Sequence, residues 1–212
     1  MKTINPKDFK CEHRHNGVDH RNCYINYLVD EYPEKVGYLD IESSNLNADF
    51  GIVYTWCIKP RGKNTIVYDT ISKEDFKKFP YDKGVMKSLV DEMKKYDVLV
   101  TYYGTGFDIP FMRTRAMKAG IPFPFYKEIG HLDLYYVVRN RLKLHSNRLA
   151  SVCAFFNIEG KTGIDNEYWA RAISGDQESI KYILDHNKGD VRILEKVHNL
   201  MIPYMRNTKR SI

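Results

Sequence analysis

No apolar run in this 212-residue chain approaches the length needed to cross a membrane. Its start, Met1-Lys-Thr-Ile-Asn5, also lacks the apolar core of a signal peptide. These two absences give the expectation of a cytoplasmic protein with no membrane partner. Cysteine is scarce, at four residues, and in a reducing compartment a disulfide between any two is not expected. There is no internal repeat and no low-complexity segment. What is present is ordinary for a globular protein apart from 16 tyrosines, and the length suits one sizeable α/β domain with a small appendage. Lysine and arginine (33) exceed aspartate and glutamate (27), a net charge of +6 that favours an anionic partner such as nucleic acid.

The first 35 residues read as an element of their own. Cys11, His13, His15, His20 and Cys23 gather three of the seven histidines and two of the four cysteines within thirteen positions. His20-x-x-Cys23 has the spacing of a zinc half-site, and the Asn16-Gly17 turn brings Cys11 round to it. Thiolate and neutral imidazole suit tetrahedral zinc, and a closed set of ligands would be structural. Either His13 or His15 would join Cys11, and the spacing leaves that choice open. A basic arm touching phosphates is the competing reading. Cys57 and Cys153 sit in apolar segments and are expected in the core.

From Val36 the pattern becomes that of a mixed α/β domain, expected to run to residue 206 and to leave a tail at 207–212. Val36-Gly-Tyr-Leu-Asp40-Ile-Glu42 reads as a strand, and side chains two apart on a strand leave the same face. Asp40 and Glu42 therefore stand side by side, which is costly unless a cation lies between them. Phe50 to Ile58 and Thr65 to Tyr68 follow as strands in hairpin order, an antiparallel meander with the first. A helix is expected over Val85–Tyr96, then a buried strand over Asp97–Tyr103. Asp108 follows at the start of a helix over about Ile109–Ala119, where it reads either as a cap or as a ligand at the carboxyl end of a central strand. Further helices are expected at about Leu132–Leu142, Asn147–Phe156 and Asn166–Ile173, with Asp133 as a cap. A long helix runs from near Asp176 past Gly189 towards Met201. On it Asp190 lies one heptad from both Ile183 and Val197 and should face inward, with His186 four residues earlier on the same side.

Asp40-Ile-Glu42, Phe107-Asp108 and His186-Asn-Lys-Gly-Asp190-Val191, in this order, resemble the three motifs of the DEDD (proofreading-type) 3′–5′ exonuclease superfamily. Within it the wording of Thr101–Phe111 and Asp185–Val191 is most similar to a group of predicted ribonuclease H-like exonucleases. The resemblance covers roughly Val36 to Met201. It implies a ribonuclease H-like mixed β-sheet flanked by helices, behind the small zinc-binding element. It also implies two-metal hydrolysis with Mg²⁺ or Mn²⁺. Asp40 would bridge two ions, Glu42 and Asp190 would complete one, and Asp108 would support the other. The subclasses place a histidine five residues before the last aspartate or a tyrosine four before it. Here Asp185 holds the first of those positions and His186 the second, so His186 becomes the candidate base. Tyr103 stands where the second motif often has asparagine.

For substrate, Tyr103 and Phe107 are candidates for stacking on a terminal base, although core packing competes for the aromatics here. Lys143, Arg148 and Lys188 are candidates for phosphate contact, against the reading of a solvated basic face. The expected activity is 3′–5′ exonucleolytic hydrolysis of DNA or RNA, acting on a single strand or a 3′ end. Two alternatives are a ribonuclease H-fold endonuclease or resolvase, opposed by the His-x-x-x-Asp ending, and a catalytically silent nucleic-acid-binding protein, opposed by the intact carboxylates.

Overall fold

The computed structural model describes residues 3–163 and 165–205; the expected tail at 207–212 lies outside them. Among these residues five strands form one mixed sheet: β1 (Val36–Ser43), β2 (Val53–Pro60), β3 (Val67–Thr70), β4 (Val98–Thr101) and β5 (Gly130–Asp133), in the order β3-β2-β1-β4-β5. β1 and β2, and β2 and β3, pair antiparallel as the meander requires, whereas β4 joins β1 in parallel and β5 joins β4 in parallel. Among the described residues seven α-helices surround the sheet: α1 (Arg21–Glu31), α2 (Lys83–Met93), α3 (Asp108–Lys118), α4 (Leu134–Arg141), α5 (Leu149–Phe155), α6 (Asn166–Ala172) and α7 (Gln177–Met205).

Alternation on β1 separates two cores. Leu39 and Ile41 pack with Leu89 and Met93 of α2 and Phe111 and Met112 of α3. Val36 and Tyr38 face the other way, into a core shared with Val138 of α4, Val152 of α5 and Leu194 and Val197 of α7. By the same period of two, Asp40 and Glu42 leave the sheet on the side of α7. α7 and the sheet are joined by polar contacts in a row: Asn187 to Asp40, Glu195 to Lys59, and His198 Nδ1 to the Tyr38 hydroxyl at 2.8 Å.

His198 is fully buried. Burial, and then the Arg61 charge, push its pKa from 6.5 down to about 3. A histidine with a depressed folded pKa is protonated more readily once unfolded, so its contribution to stability is full above pH 6.5 and is lost as pH falls towards 3. Between pH 6.5 and about 4 the loss should reach roughly 3 kcal/mol. Urea titrations of the wild type and His198→Gln at both pH values would measure it. The glutamine variant should show a shallower acid loss, and equal slopes would remove His198 as its source.

Two elements differ from the sequence expectation. Residues 130–133 are a strand, although a helix is expected from Leu132. The parallel ladder pairs Leu99 with His131 and Thr101 with Asp133, so β4 supplies the bonds that hold this short segment extended. The second is α1, which lies inside the Cys/His element and buries Tyr24, Ile25, Leu28 and Val29 in the same core as Val36 and Tyr38. Cys57 and Cys153 are buried, as expected. Among the described residues no helix is long and apolar enough to cross a membrane.

Candidate active site

Asp108 reaches the site because of a tight turn after β4. A Cβ on Gly104 would lie 2.1 Å from Thr101 Oγ1, and one on Gly106 would lie 2.5 Å from the Tyr103 ring, so neither position has room for a side chain. Tyr103 itself takes the left-handed conformation, at φ 64°. The Asp133 carboxylate accepts hydrogen bonds from Tyr103 N (2.8 Å), Thr105 N (2.9 Å) and Tyr135 N (3.1 Å). Asp133 thus caps α4 and ties down the turn, and its acceptor capacity is used on backbone. With the turn fixed, Asp108 opens α3 and accepts the Ile41 backbone N–H at 3.3 Å, beside the strand that carries Asp40 and Glu42.

α7 supplies the opposite wall. His186 Nε2 lies 3.8 Å from Glu42 Oε1 and 3.8 Å from Asp190 Oδ2. Asn187 Nδ2 donates to Asp40 Oδ2 at 2.6 Å. Helix phase turns His186 into the site and Asp185 out to solvent: the His186 side chain is 3% exposed and that of Asp185 63%. The segment between α5 and α6 closes the third side. Lys161 Nζ lies 2.5 Å from Asp190 Oδ2 and 3.5 Å from His186 Nε2, and the Thr162 hydroxyl lies 2.8 Å from His186 Nδ1.

The electrostatics follow from this packing. Burial first, then Asp108, Glu42 and Asp190, hold the Asp40 carboxyl well above the usual carboxylate range. Burial, then Asp190, pushes Glu42 up to about 8. Burial raises Asp108 to about 7, despite the backbone N–H groups of Asp108 and Ile41 that favour its ionised form. His186 is shifted down by burial against the opposing pull of Asp190, which favours the neutral ring at pH 7. Four acids face one lysine. Asn187 Oδ1 is buried with no hydrogen-bond partner among the described residues. A donor set of this kind, rich in oxygen and short of positive charge, fits a hard divalent cation.

The residues expected to touch substrate are placed differently from one another. Phe107 packs against the first core and 5.4 Å from the Phe111 ring, whereas Tyr103 is 46% exposed. Lys188 Nζ stacks 3.8 Å over the Tyr68 ring. Lys143 and Arg148 are exposed. Asn187, Lys161 and Thr162 are the site residues that sequence reasoning missed. Asn187 carried a signal, its place four residues before the apolar Val191 on the inward face of the long helix. Lys161 and Thr162 carried none, because their segment reaches the site only through the tertiary fold.

A model of the RNase_H superfamily (RNase_H_2) matches residues 37–202. Over 169 residues the chain is 27% identical to a DNA polymerase of Methanocaldococcus jannaschii, a match that spans 68% of this chain and 10% of that protein. Over 189 residues it is 22% identical to DNA polymerase 1 of Aeropyrum pernix, spanning 76% of this chain and 18% of that one. The family B DNA polymerase structure from Pyrobaculum calidifontis superposes with a TM-score of 0.59 at 19% identity, over 80% of this chain and 24% of that one. The chain thus spans only a small part of the relatives it matches, and at this identity the structural likeness speaks for the fold.

Proposed function

Since the chain belongs to the RNase H superfamily, we propose that it is a 3′–5′ exonuclease that hydrolyses phosphodiester bonds of DNA or RNA with divalent metal. The observation that carries this reading is the convergence of Asp40, Glu42, Asp108 and Asp190 from a central strand, a strand-end turn and one long helix onto a site with too little positive charge. Asp40, Glu42, Asp108 and Asp190 would hold two Mg²⁺ or Mn²⁺ ions. When bound, such ions activate the attacking water and stabilise the leaving oxygen of a phosphodiester.

The side chains have further roles in this reading. His186 has Nδ1 engaged by the Thr162 hydroxyl and turns Nε2 towards Glu42, Asp190 and the Lys161 ammonium, so a neutral ring with its proton on Nδ1 would accept a proton from water at Nε2 once Lys161 gives way. Asn187 holds the Asp40 carboxylate in one orientation. Asp133 holds the turn that aims Asp108. Exposed Tyr103 remains the candidate for stacking on a terminal base, while Phe107 is committed to packing. Lys143 and Arg148, both exposed, are left as the candidate phosphate contacts, with Lys188 a weaker candidate because it lies over Tyr68. A single strand or a frayed 3′ end is the proposed substrate.

Short single-stranded DNA and RNA labelled at the 5′ end test this reading. With Mg²⁺ or Mn²⁺ a ladder shortening from the 3′ end is expected, and none in EDTA. Internal cuts would favour the endonuclease reading. Intact oligonucleotides together with a gel shift would favour a silent binding protein.

Lys161 offers a test that needs no turnover. Its ammonium stands against Asp190, where a divalent ion would be a competing positive charge. Lys161→Met should tighten Mn²⁺ binding by roughly tenfold, the effect of removing one like charge at a partly buried site. Electron paramagnetic resonance of free Mn²⁺ in titrations without substrate measures this, and unchanged or weaker binding would show that Lys161 does not oppose the ion.

A further inference from the structure

Residues 3–20 lack helix and strand, and of their side chains only Phe9 is a buried apolar residue. Such a segment has too little core to fix itself and needs a cross-link. Two of its turns aim polar side chains at one point. Cys11 N–H donates to His15 O and Arg14 N–H to Cys11 O, with Arg14 at φ 65°, and this folds His13 back over Cys11. The chain then enters α1 at His20. His20 occupies the N-cap position without making a side-chain capping bond, and Cys23 stands one turn further on.

The result is a cluster of four soft donors. Cys11 Sγ lies 3.8 Å from His13 Nδ1 and 3.4 Å from His20 Nδ1, while Cys23 Sγ lies 3.7 Å from His13 Nδ1. All four ligand atoms fall within 4.8 Å of one another. Tetrahedral zinc, with Zn–S of about 2.3 Å and Zn–N of about 2.05 Å, places sulfur and nitrogen about 3.6 Å apart. The observed separations bracket that value. The two cysteines are not bonded to each other, and His15 lies outside the set.

We propose that Cys11, His13, His20 and Cys23 form a structural Cys₂His₂ zinc site that fastens the N-terminal segment to the start of α1. Two thiolates and two imidazoles suit zinc, whereas Mg²⁺ and Mn²⁺ prefer oxygen, so this metal and that of the carboxylates are distinct. The closed set of four protein ligands leaves no open position for substrate, which makes the site structural. Its mechanical role follows from what α1 covers. Ile25, Leu28 and Val29 lie in the core with Val98 and Val100 of β4, so the ion anchors the end of the helix that closes this side of the sheet.

The test is independent of nuclease activity. Protein expressed with added zinc and dialysed into metal-free buffer is analysed for metal by mass spectrometry. About one zinc per chain is expected for the wild type and for His15→Ala, and less than about a tenth for Cys11→Ser and His13→Ala. Zinc-free wild-type protein would overturn the site, and loss in His15→Ala with retention in His13→Ala would overturn the ligand set. Should the cysteine variants fail to fold, Co²⁺ exchanged into the wild type decides. Intense tetrahedral d–d bands with a thiolate-to-cobalt charge-transfer band support the site, and a weak octahedral spectrum overturns it.

Discussion

Asp40→Asn is expected to reduce 3′-end shortening by roughly a thousandfold or more, with no loss of stability in the absence of metal. The first half follows from the role proposed for Asp40 as one of the carboxylates that would hold the metal. The second follows from its electrostatics. Burial and three neighbouring acids hold the Asp40 carboxyl well above its usual range. A carboxyl whose folded pKa exceeds its unfolded value is disfavoured in its charged form, so it lowers stability increasingly as pH rises above about 4. Asparagine cannot ionise, and its amide oxygen still accepts the Asn187 N–H. In EDTA the variant should therefore melt higher than the wild type at pH 8, and the difference should close towards pH 4.5. Mg²⁺ should raise the melting temperature of the wild type and leave the variant nearly unchanged. A variant retaining more than about a tenth of the rate would take Asp40 out of the site.

Arg115→Met should cost about 3–5 kcal/mol of stability, the usual penalty for leaving a buried charge without its partner. The Asp82 side chain is fully buried and that of Arg115 is 5% exposed. Arg115 Nε and Nη2 donate to the two Asp82 oxygens at 2.8 and 2.7 Å, and Val53 N adds a third bond at 3.0 Å. Arg115 Nη1 also caps Ala48 O at 3.0 Å. This fork fastens α3 to the starts of α2 and β2. Urea denaturation at pH 7 measures the loss. The double variant Arg115→Met, Asp82→Leu should recover much of it, because an apolar pair leaves no orphaned charge. A loss below about 1 kcal/mol in the single variant would mean that water reaches Asp82.

Where each residue obeyed a local period, its place could be read without the structure. Asp40 and Glu42 two apart on a strand, and Asp190 in heptad phase with Ile183 and Val197, are such cases. Strand ends were less legible: β2 was expected from Phe50 and begins at Val53. β5 was not legible because four residues give no period to test, and its state is imposed by the β4 ladder. α1 did carry a helical spacing in Tyr24, Ile25, Leu28 and Val29. Its apolar stripe is narrow, and the ligand-like residues around its first turn obscured it. The Cys/His cluster was visible, yet only the turn at Arg14 distinguishes His13 from His15. Lys161 illustrates the remaining limit, a charge that becomes part of the site only when a loop folds over α7.

One helix thus serves as a ruler for two unlike tasks. α7 has 29 residues and spans about 43 Å. Asn187, which grips Asp40, and His198, which locks Tyr38, are separated by 11 positions, close to three whole turns. A single residue gained or lost between them would rotate one end against the other by about 100°. Either the acids or the core would then lose its partner. A change of length within this part of α7 would break one of these two contacts, so the spacing from Asn187 to His198 matters to the site as much as the side chains themselves.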